Sequence, residues 1–165
     1  MNDMKHPNND YLELNISYSL PQQTNIWLPT EASLSQWVNH FVQNAPIKWP
    51  NYPQELNIRI SSTQESQQLN NTYRQKNKPT NVLSFPYPDE DILGDMILCA
   101  QVISDEATQQ NKTYQAHWLH MVIHGLLHLC GYDHQQEDEA LHMESLEIKL
   151  LNQLGYTNPY NDDRS

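Results

Sequence analysis

Residues 113–134, TYQAHWLHMVIHGLLHLCGYDH, decide how the carboxyl-terminal half of the chain folds. Thr113 has a side chain suited to capping a helix, and the largely apolar run that follows it continues to Cys130. Gly131 then supplies a natural stop, because glycine readily adopts the left-handed conformation that ends many helices. We therefore predict one long helix followed by a reversal of the chain.

Three histidines in this stretch have the spacing of a metal site. His124 and His128 are four residues apart, so at about 100° per residue they share one face of the helix. The turn at Gly131 allows His134 to come back toward them as a third ligand. Three nitrogen ligands leave a fourth position for water or substrate, which is typical of catalytic rather than structural zinc.

The residue between the first two histidines argues against one function. Metzincin proteases share this ligand spacing, but they place the glutamate that acts as general base directly after the first ligand. Here that position is Gly125, which cannot transfer a proton. A glycine inside a helix also costs about 1 kcal/mol relative to alanine, so either a neighbour packs closely against it or substrate needs the space. Peptide hydrolysis by the usual route is therefore disfavoured.

The sequence outside this stretch alternates between strand and helix patterns. Four segments have the alternating or short apolar pattern of strands: 12–18, 56–60, 81–85 and 95–100. Further helices are expected to begin at these residues: Thr30, Ser62, Ser104 and Glu137. We predict a single α+β domain over residues 1–165, a small mixed β-sheet with packed helices, and a disordered tail over about 158–165.

Composition and charge exclude several classes of protein. The net charge of -11 and the pI near 4.9 argue against binding nucleic acid through bulk electrostatics. No apolar run is long enough to span a membrane, and the first residues lack the apolar core of a secretory signal. Two cysteines, Cys99 and Cys130, fit a reducing compartment, so we expect a cytoplasmic protein. One segment is locally basic, with Arg74, Lys76 and Lys78, and by charge alone it is a solvated loop.

The histidine stretch resembles the YbeY family of metal-dependent endoribonucleases, which are rRNA maturation factors. The family signature H-G-x-L-H-L-x-G-Y-D-H is matched at every fixed position by residues 124–134. Further matches lie elsewhere in the chain: Arg59, 69–70, 73–74, 79–86, 94–95 and 155–156. The similarity covers nearly the whole chain and is weakest before about residue 54.

This resemblance implies a zincin-like metal-dependent hydrolase fold, one Zn²⁺ on His124, His128 and His134, and a catalytic arginine at Arg59. It also implies cleavage of single-stranded RNA, late small-subunit maturation at the 3′ end of 16S rRNA, and ribosome quality control. The implied partners are rRNA and the ribosome or its proteins, with no membrane and no DNA. Near such a site the basic segment Arg74, Lys76 and Lys78 is expected to guide the RNA backbone. His120, one turn before His124, is expected to support the site or face substrate.

Two other functions remain open at the level of sequence. The first is a metallopeptidase-like hydrolase, against which Gly125 argues. The second is a ribosome assembly factor without catalytic activity, in which zinc only stabilises the fold. Arg59 also has an alternative role, since an arginine on the solvated face of a strand commonly forms a surface salt bridge. The sequence does not decide whether the nucleophile is metal-bound hydroxide or the 2′-hydroxyl of the RNA.

Overall fold

The structure is a computed structural model that describes residues 11–21, 24–87, 90–133 and 135–160. Along these ranges the elements are, in chain order, β1 (Leu12–Ser19), α1 (Glu31–Asn44), β2 (Gln54–Ser61), α2 (Thr63–Arg74), β3 (Val82–Pro86), β4 (Ile92–Cys99), α3 (Ala100–Gln109), α4 (Tyr114–Leu129) and α5 (Glu137–Gln153). Within the described ranges, no helix is long and apolar enough to cross a membrane.

The four strands described form one mixed sheet in the order β1-β2-β4-β3. β1, β2 and β4 run parallel to one another, and the edge strand β3 is antiparallel to β4. The register aligns Ile16, Ile58 and Met96 in one row, whereas Arg59 and Ile97 belong to the next row. The predicted α+β class with a small mixed sheet is confirmed.

Alternation along the strands gives the sheet two different faces. Leu56, Ile58 and Ile60 of β2 are buried in a core that they share with apolar residues of α1, α4 and α5. Asn57 and Arg59 extend from the opposite face, because successive side chains of a strand point to opposite sides. Among the helices that the structure describes, α2 is the one whose residues line the cleft on that second face.

Three predicted helix starts are confirmed by their caps. The side-chain oxygens of Thr30, Ser62 and Thr113 accept hydrogen bonds from the backbone N–H three residues later, at 3.0, 3.2 and 3.1 Å. The predicted end of α4 is also confirmed, since Gly131 has a φ of 100°. There the N–H of Tyr132 reaches back to the carbonyl of Leu127 at 3.0 Å, which closes the helix end.

One predicted helix start is wrong. α3 begins at Ala100 rather than at Ser104, directly after the last residue of β4 and without a side-chain cap. The buried residues Ala100, Ile103 and Ala107 lie at positions i, i+3 and i+7, so one apolar stripe runs through the first turn. Burial of this stripe therefore extends the helix toward its amino terminus, past the capping residue Ser104 that the local sequence suggests.

Candidate functional site

His124 and His128 lie one turn apart on α4, as their spacing predicts. Their ring centroids are 4.7 Å apart, and both side chains are partly exposed. His134 lies outside the described residues. Within the ranges that are described, no three side chains of His, Cys, Asp or Glu form a metal-binding group. The set of His124, His128 and His134 with Zn²⁺ therefore stays a prediction.

A buried carboxylate on α5 holds the first of these histidines in place. Glu147 is fully buried, and its Oε2 accepts a hydrogen bond from Nδ1 of His124 at 2.7 Å. Its other oxygen, Oε1, bonds Nε2 of His120 at 2.7 Å and accepts a hydrogen bond from the hydroxyl of Tyr160. One carboxylate thus fixes two histidines of α4 and a tyrosine beyond α5.

The electrostatics of this network keep the carboxylate charged. Burial by itself would raise the pKa of Glu147, but its hydrogen bonds to His120 and His124 outweigh burial and lower that pKa to about 2. Burial lowers the pKa of His120, against the opposing effect of Glu147. A carboxylate only accepts hydrogen bonds, so the proton of a neutral His124 ring resides on Nδ1. Nε2 is then the acceptor nitrogen of the ring, which is the tautomer that a metal-binding imidazole requires.

His120 is a buried residue of this network, with 6% of its surface exposed. Its Nε2 contacts both Glu147 and the hydroxyl of Tyr160, the latter at 3.3 Å. These contacts place His120 beside the carboxylate that holds His124, and its role in supporting the site or contacting substrate stays a prediction.

The last residues that the structure describes contact other parts of the protein. Tyr160 bonds the buried Glu147, and Lys112 donates a hydrogen bond to the carbonyl of Pro159 at 2.9 Å. Burial and the Glu147 carboxylate together raise the pKa of Tyr160, which keeps its hydroxyl a donor. The disordered tail expected over about residues 158–165 stays a prediction, and residues 161–165 lie outside the described ranges.

Close packing explains the glycine between the two histidines. A Cβ built at Gly125 would lie 2.3 Å from Sδ of Met96 and 3.2 Å from Oγ of Ser84. The hydroxyl of Ser84 also donates a hydrogen bond to the carbonyl of Gly125 at 3.1 Å. Of the two explanations open from the sequence, the structure therefore selects contact between α4 and the sheet. A glutamate at this position, as in the proteases, would collide with Met96.

Arg59 lies in a cleft on the other face of the sheet. Its Nε is 2.9 Å from Oε2 of Glu65 on α2, and half of the Arg59 side chain is exposed. The cleft has a volume of about 630 Å³, with its floor on β1, β2 and β4 and walls from α2 and the segment around Phe85 and Tyr87. The alternative of a surface salt bridge is thus present in this structure, within an accessible cleft.

Arg59 and the histidine pair do not lie together. Gly125 of α4 faces Met96, and Met96 is aligned with Ile58 on the core face of the sheet. Arg59 follows Ile58 in β2, so its side chain extends from the opposite face. No histidine is among the described residues that line the Arg59 cleft.

The basic segment lies beside the cleft and not in it. Arg74, Lys76 and Lys78 are exposed, and none of them is among the described lining residues. The loop folds back along α2, where the side-chain amide of Asn70 donates to the carbonyl of Lys78 at 2.8 Å. The cleft uses a different side of α2, on which Tyr73 lies.

Sequence reasoning missed Glu147, although the sequence contains a signal for it. Glu147 lies on the buried stripe of α5 formed by Met143, Leu146, Leu150 and Leu151. A carboxylate on such a stripe needs buried hydrogen-bond donors, and histidines on a neighbouring helix are natural candidates. Tyr160 had no comparable signal, because it follows the helix in a polar segment.

Comparison with known proteins gives two findings. The model of a protein family described as endoribonuclease YbeY matches residues 20–155, which is most of the chain. The solution structure of TM1509 from Thermotoga maritima superposes with a TM-score of 0.54 and 22% sequence identity, and the match covers 93% of this chain and 99% of that one. The second similarity supports the α+β fold, and a zincin-like arrangement is consistent with the family.

Proposed function

Since the chain belongs to the YbeY family of endoribonucleases, whose substrate is RNA, we propose that it is a metal-dependent endoribonuclease specific for single strands. We further propose that it acts in the cytoplasm, alongside the ribosome and ribosomal proteins, in late maturation of the small subunit at the 3′ end of 16S rRNA and in ribosome quality control. The proposed metal is one Zn²⁺ per chain, with no DNA substrate.

The observation that supports a metal site is the convergence of two imidazoles, the first of which is held by a buried carboxylate. The rings of His124 and His128 lie 4.7 Å apart, and Glu147 holds Nδ1 of His124. His124, His128 and His134 would hold the ion. A bound divalent metal supplies a Lewis acid and lowers the pKa of water toward about 7. The network of Glu147, His120 and Tyr160 keeps the first ligand in its tautomer and position.

Arg59 is the proposed catalytic residue that engages RNA. Its guanidinium is planar, permanently charged and half exposed, so it is able to form paired hydrogen bonds to a phosphate. In this structure Nε of Arg59 forms a salt bridge with the carboxylate of Glu65. A phosphate would compete with that carboxylate for the guanidinium. The exposed Arg74, Lys76 and Lys78 would attract the flanking RNA backbone against the net charge of the protein.

The test compares cleavage of a single-stranded oligoribonucleotide with the sequence of the rRNA 3′ end by the zinc-loaded protein and by Arg59→Ala. We expect cleavage by the first and a loss of about 10- to 100-fold in the second, because Arg59 would hold a phosphate of the strand and so position it. Lys48→Ala removes the same charge from an exposed residue outside the cleft and should cut normally. Metal analysis and melting curves must show that all three proteins are folded and loaded.

Two outcomes would contradict the proposal. Full activity of Arg59→Ala would remove the arginine from the mechanism. If the loaded wild-type protein holds metal but leaves the strand intact, the assembly-factor interpretation becomes the better one. The metallopeptidase alternative has no support in the site, because Met96 occupies the space that a glutamate at position 125 would need.

A further inference from the structure

The Arg59 cleft is larger than binding a single phosphate group requires. Its volume of about 630 Å³ falls in the range typical of small-molecule sites, and it lies on an uncovered part of the sheet. Besides Arg59, the cleft contains a group of aromatic rings and a row of polar side chains. Neither feature has a role in the metal centre proposed above.

The aromatic rings form one wall of the cleft and are unusually accessible. Tyr73 on α2 is 62% exposed and lies against Phe85 of β3, with ring centroids 5.1 Å apart. Tyr87, just after β3, is 41% exposed. Exposed aromatic faces in a cleft are the surfaces on which proteins stack unpaired bases, because every base has an apolar face.

The floor of the cleft is a fixed row of polar groups. Asn15 donates to Asn57 at 2.9 Å, and Asn57 donates to Oδ1 of Asp95 at 2.8 Å. The hydroxyl of Tyr87 donates to Oδ2 of Asp95 at 2.9 Å, and this hydrogen bond raises the pKa of Tyr87. The row therefore spans three strands and also holds one of the aromatic rings in place.

From this arrangement we propose that the cleft binds one unpaired nucleobase of the RNA strand, stacked on Tyr73 and with its edge toward Asp95 and Asn57. This inference rests on the proposed function, because it takes single-stranded RNA as the substrate. It adds a base-binding site beside Arg59 and residues that hold the strand independently of the metal.

Charge favours a base over a phosphate as the group that enters. Among the described lining residues, two carry a carboxylate, Glu65 and Asp95, and one, Arg59, carries a positive charge. The interior therefore repels a phosphodiester, whereas a neutral base with amino groups can donate hydrogen bonds to Asp95. The backbone of the strand is left at the rim, where the half-exposed Arg59 is accessible to it.

The experiment measures binding without cleavage. The probe is a fluorescein-labelled oligoadenylate of eight residues with 2′-O-methyl riboses, and gel analysis confirms that it stays intact. A matched probe carries abasic residues on the same backbone. Fluorescence anisotropy at low and physiological salt gives the affinity of the protein for each probe. We expect the base-containing probe to bind roughly 5- to 100-fold more tightly, as for stacking of one base.

Substitutions then locate the base. Tyr73→Ala should weaken binding of the base-containing probe roughly 5- to 100-fold and leave binding of the abasic probe unchanged. Tyr87→Phe keeps the ring but removes the hydrogen bond to Asp95, so it should have a smaller effect than Tyr87→Ala. Tyr52→Ala, at a tyrosine of similar exposure outside the cleft, should bind both probes like the wild type.

The inference is overturned if both probes bind equally, or if Tyr73→Ala and Tyr87→Ala bind the oligoadenylate like Tyr52→Ala. Cleavage of an unmodified strand by the same preparations tests the proposed function separately. If the protein binds bases through Tyr73 but does not cleave RNA, the proposed nuclease activity is refuted and the base-binding site is retained. If the protein cleaves RNA, and neither binding nor cleavage depends on Tyr73 or Tyr87, the base-binding site is refuted and the proposed nuclease activity is retained.

Discussion

The two polar regions of this molecule are built in opposite ways. Behind α4, Glu147 is fully buried and forms hydrogen bonds with both His120 and His124. On the other face of the sheet, Arg59 is half exposed and pairs with a single carboxylate. In the first region, hydrogen bonds fix the positions of the side chains. In the second region, side chains remain accessible to a ligand from solvent. The contrast suits one region to hold an ion and the other to contact a large substrate.

The largest effect is expected from His128→Ala, which removes a proposed ligand. Cleavage should fall below detection and bound zinc should drop to substoichiometric levels, because two histidines are a poor zinc site. His142→Ala replaces an exposed histidine of α5 as the matched control and should retain both properties. Zinc content after dialysis, measured beside a melting curve, separates metal loss from unfolding. Full zinc content in the folded variant would show that His128 is not a ligand.

Glu147→Gln tests the buried region itself. Removing the charge from a buried pair costs about 3–5 kcal/mol, so the melting temperature should fall by roughly 10 °C. The affinity for zinc should fall by about 10- to 100-fold, since a supporting carboxylate orients the ligand. Glu144→Gln, at a partly exposed residue of the same helix, should change neither. Unchanged zinc affinity in a folded Glu147→Gln protein would limit Glu147 to a structural role.

Gly125→Ala tests the contact that joins α4 to the sheet. The added methyl group must displace Met96, and overpacking of this kind costs about 1–3 kcal/mol. The higher helix propensity of alanine offsets up to about 1 kcal/mol of that cost. Urea unfolding should therefore show a net loss of about 1 kcal/mol. The same Gly125→Ala change should cost less when it is made in a Met96→Ala background, where the space beside position 125 is open. A stabilised Gly125→Ala protein would mean that Met96 moves aside freely.

The smallest effect on stability is expected in the open cleft. Glu65→Gln removes the partner of Arg59, and an exposed ion pair contributes only about 0.2–1 kcal/mol. The free energy of unfolding should change by less than about 1 kcal/mol, while affinity for the oligoadenylate probe should rise, because a competing carboxylate is gone. A loss of several kcal/mol would show that the cleft is as tightly structured as the region behind α4.

Much of the fold could be predicted from local patterns. The caps at Thr30, Ser62 and Thr113 and the stop at Gly131 depend on residues within one turn, so the sequence contained all the information needed. The start of α3 could not be found this way, because burial of Ala100 and Ile103 against the rest of the protein determines it. Local signals are sufficient only where local contacts dominate.

The candidate site shows the same distinction between what local sequence determines and what tertiary packing determines. The sequence by itself determined that His124 and His128 share a helix face, because the geometry of a single helix dictates it. It also placed Arg59 on the face of β2 away from the core through strand alternation. Only the tertiary structure decided that Glu147 on α5 holds His124 of α4, that Met96 fills the space beside Gly125, and that Arg59 and the pair of His124 and His128 lie on opposite faces of the sheet. These relations join residues distant in the chain, and they arise only when packing of the core brings separate elements together.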